Sequence, residues 1–215
     1  MARAELRRIG REVRGCARCP RLAGYLAECR TTHPDYWARP VPGFGDPEAG
    51  LVIAGLAPGY HGANRSGRPF WLDSSGLWLY GELERRGRWD GERLRGVYIV
   101  NAVKCVPPGN RPTGDEQTAC RPFLARELDA LDGARLVLAL GSIAQRAVLQ
   151  TWEARPLSDH PFAHGALHRL PGRPPLLCSY HPSRQNTNTG VLTRPMWRAI
   201  FDRALRAARR DRKSA

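Results

Sequence analysis

The chain has 215 residues, a formal net charge of +14, 42% hydrophobic and 25% charged residues. That is enough chain for one large domain with a real core, expected to span 1–215, and no apolar run approaches the roughly 20 residues of a membrane span. The N-terminal stretch MARAELRRIGREVRG is basic and amphipathic without an apolar signal core, so a cytoplasmic protein, acting as a monomer away from membranes, is expected.

In chain order, Leu6, Ile9 and Val13 share a face of a first helix, which ends at Cys16-x-x-Cys19. Four continuous apolar runs follow at LVIAGLAP (51–58), GVYIVNAV (96–103), ARLVLALG (134–141) and PLLCSYHP (175–182). Continuous rather than alternating runs predict strands covered on both faces. Helical patterns lie between them. Residues 75–86 form the second helix. Thr113-x-x-Glu116 reads as a capping box opening a third, whose apolar face continues through Phe123, Leu124, Leu128 and Leu131. Residues 142–150 make a short fourth. Thr193 caps a last helix with Met196, Trp197, Ile200, Phe201 and Leu205 inward, followed by a basic tail at about 207–215. The alternation predicts an α/β fold with a mainly parallel, four-stranded sheet and helices on both sides. Ligands of such sheets sit at the carboxyl ends of the strands.

All but two of the 34 basic residues are Arg, the exceptions being Lys104 and Lys213. An excess of guanidinium groups favours a polyanionic partner, because Arg pairs with phosphate in a bidentate fork. Nucleic acid leads; a solvated basic surface is the alternative.

Of the six cysteines, Cys16 and Cys19 form a local pair, Cys105 follows the second strand and Cys120 lies on the inward face of the third helix. A four-thiolate set of this kind suits an iron–sulfur cluster or structural zinc, and spacing alone does not choose between them. Pro20 and the prolines after Cys105 restrain the chain around the thiols. A redox pair at Cys16/Cys19 is disfavoured because it does not follow a strand. Cys29 and Cys178 read as ordinary thiols.

The first strand runs into GLAPGYHGANRSGRPFWLDSSG (55–76), whose five glycines admit sharp turns and close approach to a ligand. No Gly-Lys-Ser/Thr follows, which excludes a Walker loop. Phe70 is placed to stack on a planar base, or to plug the core. Asp73 is placed to orient a water, or to cap the helix beginning near Ser74. The fourth strand runs into HPSRQNTNTGVLT (181–193). There His181 is positioned to donate to a ligand oxygen, and the amides and hydroxyls that follow suit phosphate contacts.

These segments, with YWARPVPGFGDP (36–47) and VKCVPPGNRPT in the same order, resemble the iron–sulfur uracil-DNA glycosylases of family 5 over nearly the whole chain from Cys16 to about 205. The related family 4 enzymes have an acidic residue where this chain has Leu56. The resemblance implies a three-layer α/β/α sandwich and a structural [4Fe-4S] cluster on Cys16, Cys19, Cys105 and Cys120. It also implies hydrolysis of the N-glycosidic bond of uracil, or another deaminated base, everted from DNA. Two departures stand out. Trp71-Leu72 replaces a common Thr-Gly before the Asp, with bulk expected to narrow the pocket or to change which bases enter. Asn101 resembles the family 4 Asn that reads uracil, which predicts greater selectivity for uracil.

On this resemblance, Phe70 stacks on the everted ring, the backbone around Gly59 and Tyr60 meets its edge, and Asn101 reads its Watson–Crick face. His181 stabilises the oxygen where negative charge gathers. Asp73 positions water, with Asn110 a second polar contributor. His61, Arg65, Arg111, Ser183, Arg184, Gln185 and Asn186 contact DNA, and the 183–190 loop fills the gap left by the base. Competing expectations are a non-catalytic nucleic-acid-binding module bearing zinc or a cluster, and a covalent uracil-DNA-binding protein of the same fold.

Overall fold

The computed structural model describes residues 2–209; the end of the expected basic tail, 210–215, lies outside the described residues. Its elements run α1 (Ala2–Arg14), α2 (Pro20–Thr32), β1 (Phe44–Gly45), β2 (Leu51–Gly55), α3 (Ala63–Ser66), α4 (Ser74–Arg85), β3 (Val97–Asn101), α5 (Gly114–Ala130), β4 (Leu136–Leu140), α6 (Ser142–Thr151), β5 (Leu167–His168), β6 (Leu176–Ser179), α7 (Arg184–Asn188) and α8 (Arg194–Ala207). One sheet has the order β1-β3-β2-β4-β6-β5. Its four inner strands are parallel, in register from Leu51 opposite Val97 and Leu136 to Leu140 opposite Ser179.

The sheet has six strands, not the expected four. β1 and β5 are two-residue antiparallel edges on β3 and β6. Two residues carry no periodicity, so no apolar pattern announces them. The expected runs also overshoot the strands at their carboxyl ends, because the same apolar residues continue into the loops that form the cleft.

Alternation along buried strands divides the core into two. Val52, Ala54, Val100, Val137, Ala139, Leu176 and Cys178 face α1, α2, α5 and α6. Leu51, Ile53, Val97, Ile99, Leu136, Leu138 and Leu177 face α4 and α8. This is the three-layer α/β/α arrangement. The capping box of α5 is present, with Thr113 and Glu116 bonding reciprocally to backbone. Thr193 caps α8, where Trp197, Ile200, Phe201 and Leu205 are buried. α2 is an element not expected from the sequence. Pro20 is not merely a restraint beside the thiols but opens this helix, where its missing N–H is no loss. The chain goes from β2 to β3 on one side and then to β4 on the other, so a crevice opens above the central strands.

Candidate active site

A cleft of about 990 Å³ occupies that crevice, with Leu56, Leu140, Gly141 and His181 at the ends of β2, β4 and β6 forming its base. Among its walls are eleven residues singled out from sequence: Gly59, Tyr60, His61, Phe70, Asp73, Asn110, His181, Ser183, Arg184, Gln185 and Asn186. Their segments lie far apart in the chain and meet because parallel strands all end on one side.

The β2–α4 loop builds one wall. Phe70 is buried, and its ring lies 5.9 Å from that of His181 at a 32° tilt. Asp73 uses both oxygens differently. Oδ1 caps α4 by accepting from the Gly76 N–H at 2.7 Å. Oδ2 faces the glycine turn, where a Cβ on Gly62 would stand 2.5 Å from it. Asp73 is thus both a cap and a carboxylate presented to the cleft. Burial pushes its carboxyl above the usual range, against the lowering effect of the Gly76 and Ser75 N–H groups.

His181 holds the opposite wall. Enclosure by the cleft pushes its ring down to about 4, so the imidazole is neutral at physiological pH. The Asn186 side chain donates to the His181 carbonyl at 2.9 Å, tying strand end to loop. Ser183 caps α7, which fixes the start of the polar segment.

Asn101 lies deeper than expected. It ends β3 opposite Gly55, is 1% exposed, and does not line the open cleft. Its Oδ1 and the Phe70 Cζ would each stand 2.5 Å from a Cβ on Gly55, so amide and ring meet at a floor that only glycine leaves room for. Both polar atoms of this amide lack a hydrogen-bond partner. Nearly all buried polar side-chain atoms are satisfied, and the other such atom among the described residues is Asn64 Oδ1, so Asn101 alone has both ends of its amide free.

Arg65 and Arg111 are exposed and lie outside the cleft wall. Arg65 sits over the Tyr36 ring at 5.6 Å, and the Tyr36 hydroxyl meets His61 Nδ1 at 2.8 Å. Tyr25, His33 and Tyr36, which sequence reasoning missed because they lie scattered ahead of the glycine loop, join Tyr60 and His61 in an aromatic rim. Contact with the Cys29 thiol, then burial, pushes the Tyr60 phenol up to about 12. Phe162 and Tyr180 complete the cleft and were also missed. Trp71 does not narrow the pocket: it turns away to pack on Tyr80 and Trp89, at 4.9 and 5.3 Å between ring centroids. Leu72 projects from the rim, 55% exposed.

Behind the floor, Cys16, Cys19, Cys105 and Cys120 line one small cavity, closed by α2 and the start of α5. Burial first, and then the neighbouring thiols, push Cys105 far up; burial likewise raises Cys120 to about 11, while the Lys104 charge works in the opposite direction. Among the described residues, no three His, Cys, Asp or Glu side chains converge on a single-ion position. Arg21 on α2 pairs with Glu116 of the α5 cap at 2.8 Å and bonds the Arg111 carbonyl, holding the loop between the two later cysteines. The Lys104 ammonium bonds the Asn101 carbonyl at 2.7 Å and pairs with buried Glu127, whose other oxygen accepts from the Gly43 N–H.

A parallel sheet with a cleft at its strand ends, walled by a neutral imidazole and a carboxylate above a buried amide, has the layout of an α/β enzyme. Residues 42–205 match the family model of the uracil DNA glycosylase superfamily, and the chain belongs to that family. Within it, the chain belongs to the Type-5 group. It is 48% identical to a Type-5 uracil-DNA glycosylase of Thermus thermophilus, covering 90% of this chain and 94% of the relative. It is 43% identical to one of Pyrobaculum aerophilum, covering 83% and 82%, and 32% identical to that organism's Type-4 uracil-DNA glycosylase, covering 94% and 91%.

Proposed function

We propose that the chain is a DNA repair glycosylase that everts uracil from DNA and hydrolyses its N-glycosidic bond, leaving an abasic site. The observation that carries this reading is the orphaned Asn101 amide, buried next to Phe70 in a Type-5 fold. An amide both donates and accepts, which matches the imide edge of uracil. The base enters between Phe70 and His181 and reaches Asn101 as the Phe70 edge gives way. Greater selectivity for uracil over hypoxanthine and xanthine follows from the same amide.

Bond breaking leaves positive charge on the sugar and negative charge on the departing base. The neutral His181 ring donates to the oxygen where that negative charge gathers. Oδ2 of Asp73 accepts a hydrogen bond from the water that meets the sugar, and Asn110, held at φ 57 on the rim, is a second polar contact. Ser183, Arg184, Gln185, Asn186 and His61 hold the strand. Arg65 and Arg111, outside the cleft, serve flanking phosphates.

The four thiols suit a [4Fe-4S] cluster. They line one small cavity, and thiolates are the ligands that such a cluster takes. Cys16, Cys19, Cys105 and Cys120 would hold such a group, which would supply a covalent cross-link between the α1–α2 connection, the β3–α5 loop and α5; no step of hydrolysis passes through it. The enzyme acts as a monomer of one domain in the cytoplasm. Among the described residues, no helix is long and apolar enough to cross a membrane.

The test is formation of alkali-labile abasic sites in uracil-containing oligonucleotides. His181→Ala is expected to lower single-turnover rates about 10²–10³-fold, as removal of one such donor does. A product that survives denaturing gels as a protein–DNA adduct would indicate trapping instead. The absence of both products with the wild-type protein would leave a binding module.

A further inference from the structure

A second concave surface lies at the end of the sheet away from the cleft. We propose that it binds the phosphodiester backbone of a second DNA segment while the cleft is engaged with a first. The proposal rests on the glycosylase reading, which makes DNA the polyanion, and extends it to a second contact.

Two cavities adjoin there, of about 780 and 410 Å³, with Arg88, Leu205 and Arg209 in the walls of both. Gly50, Gly96 and Arg135 line the larger one and immediately precede β2, β3 and β4, so it opens at the amino ends of the strands. Each of these strands has five residues, about 17 Å of extended chain between this surface and the cleft. Duplex DNA is stiff over about 150 bp, so a duplex seated in the cleft does not bend round to the far end of so small a protein. The occupant is therefore a separate segment.

Five arginines face the two cavities, against the carboxylates of Glu48 and Asp202. Arg86 is committed to Glu82 and Asp202. Among the described residues the other four form no ion pair. Arg88 reaches the Arg95 carbonyl at a long 3.5 Å, and Arg135 gives one N–H to the Arg209 carbonyl at 3.0 Å. Arg206 and Arg209 also complement the carboxyl end of α8, but that end does not call for Arg88, which comes from the α4–β3 connection. Nη1 of Arg88 would stand 3.2 Å from a Cβ on Gly96, itself at φ 67, so glycine makes room for the guanidinium at the cavity wall. Cations gathered in a concavity repel one another and focus their field outward, a cost that a bound anion relieves.

Guanidinium forks match phosphate oxygens in pairs. The only apolar side chains in these walls are Leu205 and Ala208. A protein partner needs aromatic or aliphatic anchors seated in pockets, whereas a phosphodiester backbone is held by charge and needs none. The surface thus fits the backbone of DNA, without sequence preference.

The test fills the cleft with a short duplex carrying an abasic analogue, adds a labelled undamaged duplex as probe, and follows both by sedimentation at low salt. The wild type is expected to carry both duplexes in one complex. Arg88→Gln/Arg135→Gln should weaken probe binding about tenfold and lower the slope of log affinity against log salt by about 2, one for each phosphate contact, with uracil excision from a short single strand unchanged. Glu48→Gln should strengthen probe binding, a gain that misfolding does not imitate. Absence of the ternary complex with the wild type, or a double variant that keeps the probe, would overturn the proposal. So would displacement of the probe by inorganic phosphate beyond that by chloride at equal ionic strength, which would mark a site for a small anion, or polyglutamate binding as tight as the probe's, which would mark an acidic protein. If the wild type forms no abasic sites, the glycosylase reading falls, and sedimentation with undamaged duplexes in two colours decides the second site by itself.

Discussion

Replacing Asp73 by Asn separates the two tasks of one carboxylate. Oδ1 caps α4 through the Gly76 N–H, and an Asn oxygen keeps that bond, since Asn and Asp cap helices about equally well. Oδ2 faces Gly59 and Gly62; there Asn presents an NH₂ that donates and does not accept. The fold loses nothing and the cleft loses its acceptor. Burial raises the Asp73 carboxyl above the usual range, so ionisation opposes folding at neutral pH, and that penalty fades as pH falls toward the ordinary carboxylate value. Asp73→Asn removes the penalty. Its melting temperature should match or exceed the wild type at pH 7, with the gain shrinking in acid. Asp73→Ala loses the cap, about 1 kcal/mol, and should melt about 2–4 °C lower than the wild type. Both variants should lose about 10²–10⁴ in single-turnover excision, the range for a group that handles a reacting proton or water. Calorimetry and an abasic-site assay on one uracil oligonucleotide suffice. Asp73→Asn excision within about threefold of wild type would refute the water-positioning role, because threefold is far below the cited range. An Asn variant that melts with the Ala variant would refute the division of labour.

Asn101→Leu should stabilise the protein by about 1–3 kcal/mol in urea unfolding, the cost of leaving a buried polar group unsatisfied, while slowing uracil excision and levelling the preference for uracil over hypoxanthine and xanthine. Unchanged turnover of all three bases would remove Asn101 from base reading. Lys104→Met should destabilise by about 3–5 kcal/mol because it strands the Glu127 charge in the core, and adding Glu127→Gln should recover part of that loss. A silent single variant in the same urea titration would show that the pair is dispensable.

Much of this architecture is legible in the sequence because buried parallel strands are continuous apolar runs and caps have local signatures. Thr113-x-x-Glu116 and Thr193 announce helix starts that the structure contains. The two edge strands are too short to carry a pattern, and α2 is masked by its opening Pro and mixed faces. The cleft residues Phe70, Asp73 and His181 are legible because strand-end loops hold ligands in such folds. Depth is not legible. Nothing in NAV at 101–103 says that Asn101 lies sealed beneath a ring, and nothing in WLD at 71–73 says that Trp71 turns inward while Leu72 turns out. Those outcomes depend on backbone angles and on residues far away, Tyr80 and Trp89 above all.

Several unfavourable features gather around one floor: an unsatisfied amide at Asn101, a buried carboxylate at Asp73, and left-handed φ at Phe70 and Leu72. Each disfavours the folded state, so something adjacent has to hold the floor in place. Lys104 does this. Its ammonium fixes the Asn101 carbonyl, its pairing with Glu127 reaches the Gly43 turn, and its backbone N–H lies 3.3 Å from the Cys120 sulfur. One residue thus links the thiol cavity to the amide at the floor. An amide without an internal partner keeps its orientation only if its backbone is anchored, and Lys104 adds an anchor to the pairing of Asn101 with Gly55 in the sheet. The scaffold of thiols and the orientation of the orphaned amide are therefore two ends of one structure, which is why cysteines stand so close to a residue that touches no thiol.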